Sequence, residues 1–152
     1  MSEVIAAFEL ENLRGEQVAF PGNGDALVCF IKEDCPTCKE VMPVLVAMHK
    51  ALAGAIDIQI IGQTLGGNKA LDKAFAPGFS ILDDSALKVS FAADVETVPT
   101  LYRTNASGSV TDTLIGFVRA EWQDLMQRMS SELASPELDL DWQKLPEWRP
   151  GC

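Results

Sequence analysis

The sequence predicts an α/β fold in which helices pack on a mixed β-sheet. Residues 26–31 and 56–62 have the unbroken apolar character of strands that are buried on both faces. An amphipathic helical pattern separates them, and a hairpin followed by a second helical pattern comes later in the chain. Strands that alternate with helices and then end in a hairpin and a helix favour one α/β sandwich.

The predicted elements begin with short strands. Residues 8–13 and 17–20 flank the turn signal Arg14-Gly15, so we expect these two segments to pair with each other. The dense turn sequence PGNGD then leads into the buried strand at residues 26–31.

The first long helix follows two closely spaced cysteines. Its apolar residues recur at steps of three and four, at Val41, Val44, Leu45, Met48 and Leu52. The pattern ends near Gly54, and we expect Pro43 to kink the helix because proline lacks a backbone N–H.

The later elements follow the strand at residues 56–62. They are a short helix at 70–75, a strand at 79–82, a helical turn at 87–91, strands at 98–103 and 110–118, and a helix at 122–133. The two strands flank the turn Ala106-Ser107-Gly108, which predicts the hairpin. Beyond them, residues 135–152 (the tail) contain three prolines, two tryptophans and no clear period, so we expect a tail that docks its tryptophans on the domain.

Composition limits the classes of partner. The 152 residues and the 47% apolar content suit one globular domain, and the net charge of −10 disfavours binding to nucleic acids or to anionic membranes. The start MSEVIAAFELENLRG carries acids where a signal peptide has a basic end, which predicts a cytoplasmic protein. The alternative is a periplasmic protein whose leader is absent from this sequence.

Cys35 and Cys38 form a CxxC pair between the buried strand and the first helix. Such a pair could bind a metal, form a structural disulfide, or cycle between dithiol and disulfide. A zinc site normally needs four ligands, but the chain has one CxxC pair and the single histidine His49, so we expect no metal. A static CxxC disulfide closes a very small loop and gains little chain entropy. Redox chemistry is therefore the favoured interpretation.

The start of a helix provides a reason for this chemistry. Unpaired N–H groups and the helix dipole stabilise a thiolate at Cys35 and lower its pKa. Pro36 fits the first helical turn, where its missing N–H has no cost. Cys38 lies one turn deeper and is expected to be less exposed. We therefore expect Cys35 to attack a substrate disulfide and Cys38 to resolve the mixed disulfide that results.

These features resemble the thioredoxin fold. The resemblance depends on the strand ALVCFI, on CPTC at the start of a helix, on Lys39 and Pro43, and on VPT ahead of a hairpin. The segments FELENLRGEQVAF and FSILDDSALKVSFAADVETVPTLY are more similar to the TlpA/ResA-type redoxins. This resemblance covers roughly residues 6–133. It implies a three-layer sandwich with an N-terminal strand extension and an inserted helix, with residues 1–134 as a redox domain and residues 135–152 as the tail.

The resemblance also implies a substrate site. Pro99 corresponds to the cis-proline that faces the thiol pair in this family, and the backbone of Val98 is then free to pair with an extended substrate. Pro36 and Thr37, between the two cysteines, complete the expected substrate-binding residues. The Pro-Thr dipeptide differs from the Gly-Pro of thioredoxin, which implies a different redox potential.

Three positions bear on how the pair would work. Cys29 occupies the place of the buried acid of thioredoxin, and we expect it to fill the core. Asp34 replaces a tryptophan, and its charge would raise the pKa of Cys35. Cys152 could act as a third redox thiol that reaches the CxxC pair, or it could be incidental.

The sequence predicts a thiol–disulfide oxidoreductase that needs no cofactor. Its expected partner is a disulfide-containing protein or a small-molecule disulfide, and its upstream reductase is unknown. A thiol peroxidase is an alternative, although the PxxxTxxC pattern of peroxiredoxins is absent. A non-catalytic binding module on the same fold is another alternative.

Overall fold

A computed structural model describes residues 3–152, so residues 1 and 2 of the predicted domain at 1–134 lie outside the described part. The strands are β1 (Phe8–Glu11), β2 (Gln17–Phe20), β3 (Ala26–Phe30), β4 (Asp57–Gly62), β5 (Leu82–Asp83), β6 (Thr100–Thr104), β7 (Val110–Ile115), β8 (Phe117–Val118) and β9 (Trp148–Arg149). The helices are α1 (Pro36–Leu52), α2 (Leu65–Phe75), α3 (Lys88–Ala92), α4 (Arg119–Glu132) and a short 3-10 helix, Trp142–Lys144.

The main sheet is mixed and has seven strands in the order β2-β1-β5-β4-β3-β6-β7. The central strand β3 is parallel to β4 and antiparallel to β6. The β1–β2 hairpin joins one edge through β5, and α2, β5 and α3 lie in the chain between β4 and β6. The predicted α/β class, the N-terminal strand extension and the inserted helix are confirmed.

Helices cover both faces of this sheet. Every residue of β3 and of β6 is buried, which requires cover above and below the two strands. The helix α1 contributes Cys38, Val41, Val44, Leu45, Met48 and Leu52 to the core, at the spacing that the sequence predicts. Cys29, in β3, is fully buried among these apolar groups, as expected of a core residue.

The helix α1 continues through Pro43, and the predicted kink at this residue stays a prediction. Two of the strands differ from the prediction. In place of the strand predicted at 79–82, the structure has the two-residue strand Leu82–Asp83, and Ser80 before it accepts a hydrogen bond of 2.9 Å at Oγ from the Leu13 N–H. The strand predicted at 110–118 is divided into β7 and β8 at Gly116.

Gly116 connects three parts of the molecule. Its φ of +67° lies in the left-handed region that favours glycine, and this conformation ends β7. Its N–H donates to the Pro99 carbonyl at 2.8 Å, and its carbonyl accepts from Trp122 Nε1 at 3.1 Å. The buried Trp122 of α4 therefore fixes the loop that lies against Pro99.

We expect the substitution Trp122→Phe to lower the free energy of unfolding by about 1–3 kcal/mol, because it leaves the Gly116 carbonyl without its donor. Urea denaturation measures this change. The matched control is Trp148→Phe, because Trp148 is 62% exposed and its loss should change stability by less than about 0.5 kcal/mol. Equal losses of stability in the two variants would contradict the conclusion that the Trp122 hydrogen bond to the Gly116 carbonyl stabilises the fold.

The tail returns to the domain. Its strand β9 pairs with β8 in a separate two-stranded sheet, with Phe117 opposite Arg149 and Val118 opposite Trp148. Leu138, Leu140, Trp142 and Leu145 pack against the core. Trp142 therefore docks on the domain, whereas the Trp148 side chain is exposed. Among residues 3–152, no helix combines the length and the apolar character that a membrane crossing requires.

Candidate active site

Cys35 lies where the chain passes from the central sheet into α1. It occupies the N-cap position, with an extended backbone at φ −94° and ψ 116°, and Pro36 begins the helix. The Cys35 carbonyl accepts the first helical hydrogen bond, from the Lys39 N–H, at 3.2 Å. The sulfur of Cys35 is thus held at the positive end of a 17-residue helix.

The loop before β6 faces this sulfur. The Val98–Pro99 peptide bond is cis, and the Val98 carbonyl oxygen lies 3.6 Å from Cys35 Sγ. The hydrogen bond from the Gly116 N–H to the Pro99 carbonyl holds the loop against the end of β7. Two distant segments of the chain, α1 and the Val98–Pro99 loop, therefore meet at Cys35.

Cys35 forms a disulfide with Cys152 of the tail. The CxxC spacing predicts an exchangeable disulfide between Cys35 and Cys38, but in this structure Cys38 is a free, buried thiol. The physical reason lies in the tail, which pairs with Val98 and brings Cys152 next to Cys35. The Val98 N–H donates to the Cys152 carbonyl at 3.3 Å, and the Cys152 N–H donates to the Val98 carbonyl at 2.8 Å.

Cys38 lies within the first turn of α1, and it is fully buried. Burial raises the pKa of Cys38 to about 11, and the charge of Asp34 adds to the rise. The Lys32 N–H, which donates to Cys38 Sγ at 3.4 Å, opposes this change by stabilising the thiolate. Cys29 is another buried thiol, and burial raises its pKa well above the usual value. Asp34 itself lies 3.3 Å from the ammonium group of Lys32.

The ionisation of Cys38 should be visible as a change in thiolate absorbance in the ultraviolet. We expect a midpoint near pH 11 in the disulfide-bonded protein, instead of near the usual 9.0, because the buried charged form is disfavoured. Since the thiolate is the attacking form, any reaction of Cys38 should quicken about tenfold per pH unit between pH 7 and 10. The titration uses the Cys29→Ala variant, so that Cys38 is its free thiol. The same variant with Cys38→Ala added gives the absorbance that does not come from Cys38. A midpoint near pH 9 would contradict the buried environment.

The expected substrate-binding residues all border the tail or the disulfide. Thr37 Oγ1 donates to the Pro150 carbonyl at 2.5 Å, and Val98 makes the two backbone hydrogen bonds to Cys152. We refer to the surface formed by Pro36, Thr37, Thr97, Val98 and Pro99 as the active-site groove. It contains an extended segment of the protein's own tail.

Several solved structures have a similar fold. StoA from Bacillus subtilis matches with a TM-score of 0.65 and 23% identity, over 81% of this chain and 96% of that chain. The thioredoxin domain of a thiol–disulfide oxidoreductase from Bacteroides vulgatus matches with a TM-score of 0.69 and 14% identity, over 85% and 97%. DsbF from MTB matches with a TM-score of 0.65 and 20% identity, over 82% and 93%.

This chain has the thioredoxin-like fold. No protein-family model and no curated protein matches the sequence. At identities of 14–23% the structural matches establish the fold, and the chemistry of the site must be argued from its own residues.

Within this thioredoxin-like fold, sequence reasoning missed Thr97 of the groove and Gly151 of the tail. Thr97 packs against Gly151 of the tail, and a Cβ on Gly151 would overlap the Thr97 side chain. Neither residue belongs to a cysteine or proline signal, although the Gly-Cys pair at 151–152 was the one hint in the sequence. In residues 3–152, no cluster of three or more His, Cys, Asp or Glu side chains is arranged to hold a metal ion.

Proposed function

We propose that this protein is a thiol–disulfide oxidoreductase that reduces disulfides in other proteins. The observation that carries the proposal is the position of Cys35, at the start of α1 and opposite the Val98 carbonyl, where it already holds a disulfide to an extended chain segment. A site that binds an extended segment through its backbone and joins its cysteine covalently has the arrangement that disulfide exchange requires.

In the first step, the Cys35 thiolate attacks one sulfur of a substrate disulfide. A new bond joins Cys35 to that sulfur, and the other substrate sulfur leaves as a thiolate and takes a proton from water. The positive N-terminal end of α1 stabilises the negative charge of the Cys35 thiolate. Backbone pairing with Val98 aligns the three sulfurs, because it fixes the substrate as an added strand.

In the second step, Cys38 attacks Cys35, releases the second substrate thiolate and forms a Cys35–Cys38 disulfide. The Cys38 thiol must first lose its proton. Its neighbour in the core is Cys29, which is a poor proton acceptor, so the proton must go to another group. Water that enters when the groove opens is the proton acceptor that we propose. The Lys32 N–H then stabilises the Cys38 thiolate as it forms.

The proposed partners follow from the groove and from the charge. An extended peptide segment with an accessible disulfide fits the groove, as the tail illustrates, and a small disulfide could react with Cys35 without backbone pairing. The net charge of −10 favours partners that are neutral or basic near their disulfide. Reducing equivalents must come from an external dithiol.

The experiment is the reduction of insulin disulfides by dithiothreitol, followed by the turbidity of the released B chain. We expect the protein to accelerate the reaction at least about tenfold, because a thiolate that is stabilised at the start of a helix and positioned for attack reacts faster than a free thiol. A double variant, Cys38→Ala with Cys152→Ser, should stall and accumulate a mixed disulfide with insulin. Absence of any acceleration, together with rapid turnover of hydrogen peroxide, would instead support the thiol peroxidase.

A further inference from the structure

The last residues of the tail occupy the active-site groove as a bound peptide would. Residues 148–149 pair with β8, and the backbone of Cys152 pairs in both directions with Val98. Between these points, the Pro150 carbonyl accepts the hydrogen bond from Thr37. The segment is thus fixed at successive positions along the groove.

The fit at Gly151 is specific. A Cβ at this position would overlap the Thr97 side chain and lie 2.9 Å from the Val98 carbonyl oxygen, so the residue before Cys152 must be glycine for the tail to pair in this register. Gly116 plays the matching role on the other side, where a Cβ would lie 3.1 Å from the Gly151 nitrogen and 3.2 Å from the Arg149 carbonyl. Two glycines therefore permit the close approach of the tail to the Val98 loop and the β7–β8 junction.

Side chains outside the groove support the same register. Arg149 Nη2 lies 3.5 Å from Glu40 Oε1 on α1, and the Arg119 N–H donates to the Glu147 carbonyl at 3.0 Å. Arg119 Nη1 also donates to the Leu145 carbonyl at 2.9 Å. These contacts hold residues 145–152 of the tail against the domain and bring Cys152 to Cys35. The disulfide is therefore one contact among several.

The exposure of the three cysteine residues differs. Cys35 is 1% exposed and Cys38 is 0% exposed, whereas Cys152 is exposed and opens onto a cleft of about 250 Å³. Lys32, Phe91 and Glu96 also line this cleft, and Phe91 is 85% exposed. The cleft thus leads to the Cys152 end of the disulfide, whereas Cys35 is covered.

We propose that Cys152 is a third redox-active cysteine, which occupies the groove after substrate has left and passes electrons from an external dithiol to the Cys35–Cys38 pair. This inference rests on the proposed function and extends it. The tail then acts as an internal substrate. Because the Thr97 side chain leaves no room for a Cβ at Gly151, only a segment with glycine before its cysteine can bind in this register.

The steps balance as thiol–disulfide exchanges. After substrate reduction the enzyme holds a Cys35–Cys38 disulfide, and the Cys152 thiolate attacks Cys35, forming Cys35–Cys152 and releasing Cys38, which takes a proton. One thiolate of an external dithiol then attacks Cys152 and releases the Cys35 thiolate. The second thiolate of the dithiol displaces Cys152, so that two electrons have entered the enzyme and the dithiol has become a disulfide.

The first experiment maps the disulfide. Reduced protein is oxidised by insulin, free thiols are blocked with iodoacetamide, and the peptides are identified by mass spectrometry. We expect Cys35 joined to Cys152, with the alkyl group on Cys38. Recovery of Cys35–Cys38 alone, from protein that still reduces insulin, overturns the inference and leaves the proposed function intact. Failure of Cys35 to form any disulfide overturns the proposed function.

The second experiment uses a matched pair of variants. Gly151→Ala should lower the fraction of Cys35–Cys152 at least about fivefold, because the added methyl group cannot fit between Thr97 and Val98. Gly54→Ala is the control, since a Cβ there meets no atom within 4 Å. An unchanged fraction in Gly151→Ala would show that the disulfide does not depend on the groove, which contradicts the inference.

The third experiment locates the entry of electrons. Oxidised protein is treated briefly with glutathione as a monothiol probe and then quenched with acid. We expect at least about ten times more glutathione on Cys152 than on Cys35, because attack occurs at the accessible sulfur. A glutathione adduct mainly on Cys35 would contradict the proposed route.

Discussion

Replacement of Cys35 by serine should reduce the rate of insulin reduction at least about a hundredfold. Serine keeps the size and the N-cap position of the side chain, but its hydroxyl is not ionised near neutral pH and cannot form a disulfide. The fold should remain, because α1 keeps Pro36 at its first position and its apolar face in the core. The measurement is the initial rate of insulin reduction by dithiothreitol.

The matched control is Cys29→Ala. Cys29 is a free, buried thiol in β3 that packs in the core and has no role in the proposed exchange, so its loss should leave the rate within about twofold. Circular dichroism of both variants verifies the fold. Similar losses in the two variants would indicate a structural effect, and an active Cys35→Ser protein would exclude the proposed nucleophile.

Reduction of the Cys35–Cys152 disulfide should lower the free energy of unfolding by about 3–5 kcal/mol. The disulfide spans 117 residues, so it removes a large loop-closure entropy from the unfolded chain. For a protein of this size the change corresponds to roughly 10 °C in the midpoint of thermal unfolding. Guanidinium unfolding of the oxidised and reduced protein measures the difference directly.

Cys152→Ser is the comparison for this effect. Oxidation of that variant can join only Cys35 to Cys38 within the groove, and such a short loop adds little stability. Its oxidised and reduced forms should therefore differ by less than about 2 kcal/mol. An equal gain on oxidation in both proteins would show that the long-range disulfide is not the source of the stabilisation.

The parts of the fold that the sequence predicts well are those with a local physical cause. An apolar run predicts β3, and apolar residues at steps of three and four predict α1. Because both elements can be predicted locally, the position of Cys35 between them can be predicted too. The chemistry expected of Cys35 follows from the same local feature, the start of a helix.

The parts that sequence reasoning did not locate depend on distant segments. Residues 110–118 look like one strand, yet Gly116 divides them because its N–H and carbonyl bond to Pro99 and Trp122. The sequence of β9 shows no alternation of apolar and polar residues, and the strand forms through its pairing with β8. Short strands of this kind take their structure from pairing, which a local pattern does not encode.

The disulfide at the site likewise depends on residues that are distant in the sequence. The CxxC spacing favours pairing of Cys35 with Cys38, and the sequence offers Cys152 only as an alternative third redox thiol, because no local pattern places a residue that is 117 positions away. The contacts of Val98, Thr37 and Gly151 determine this pairing, and they become visible only when the tail is folded onto the domain.

The most direct test of disulfide exchange at this site is the identity of the cysteine in the covalent intermediate. The reduced double variant, Cys38→Ala with Cys152→Ser, is mixed with oxidised insulin, quenched with acid and digested for mass spectrometry. We predict one insulin adduct, bonded to Cys35. An adduct on Cys29, or no adduct while the intact protein still reduces insulin, would contradict this account.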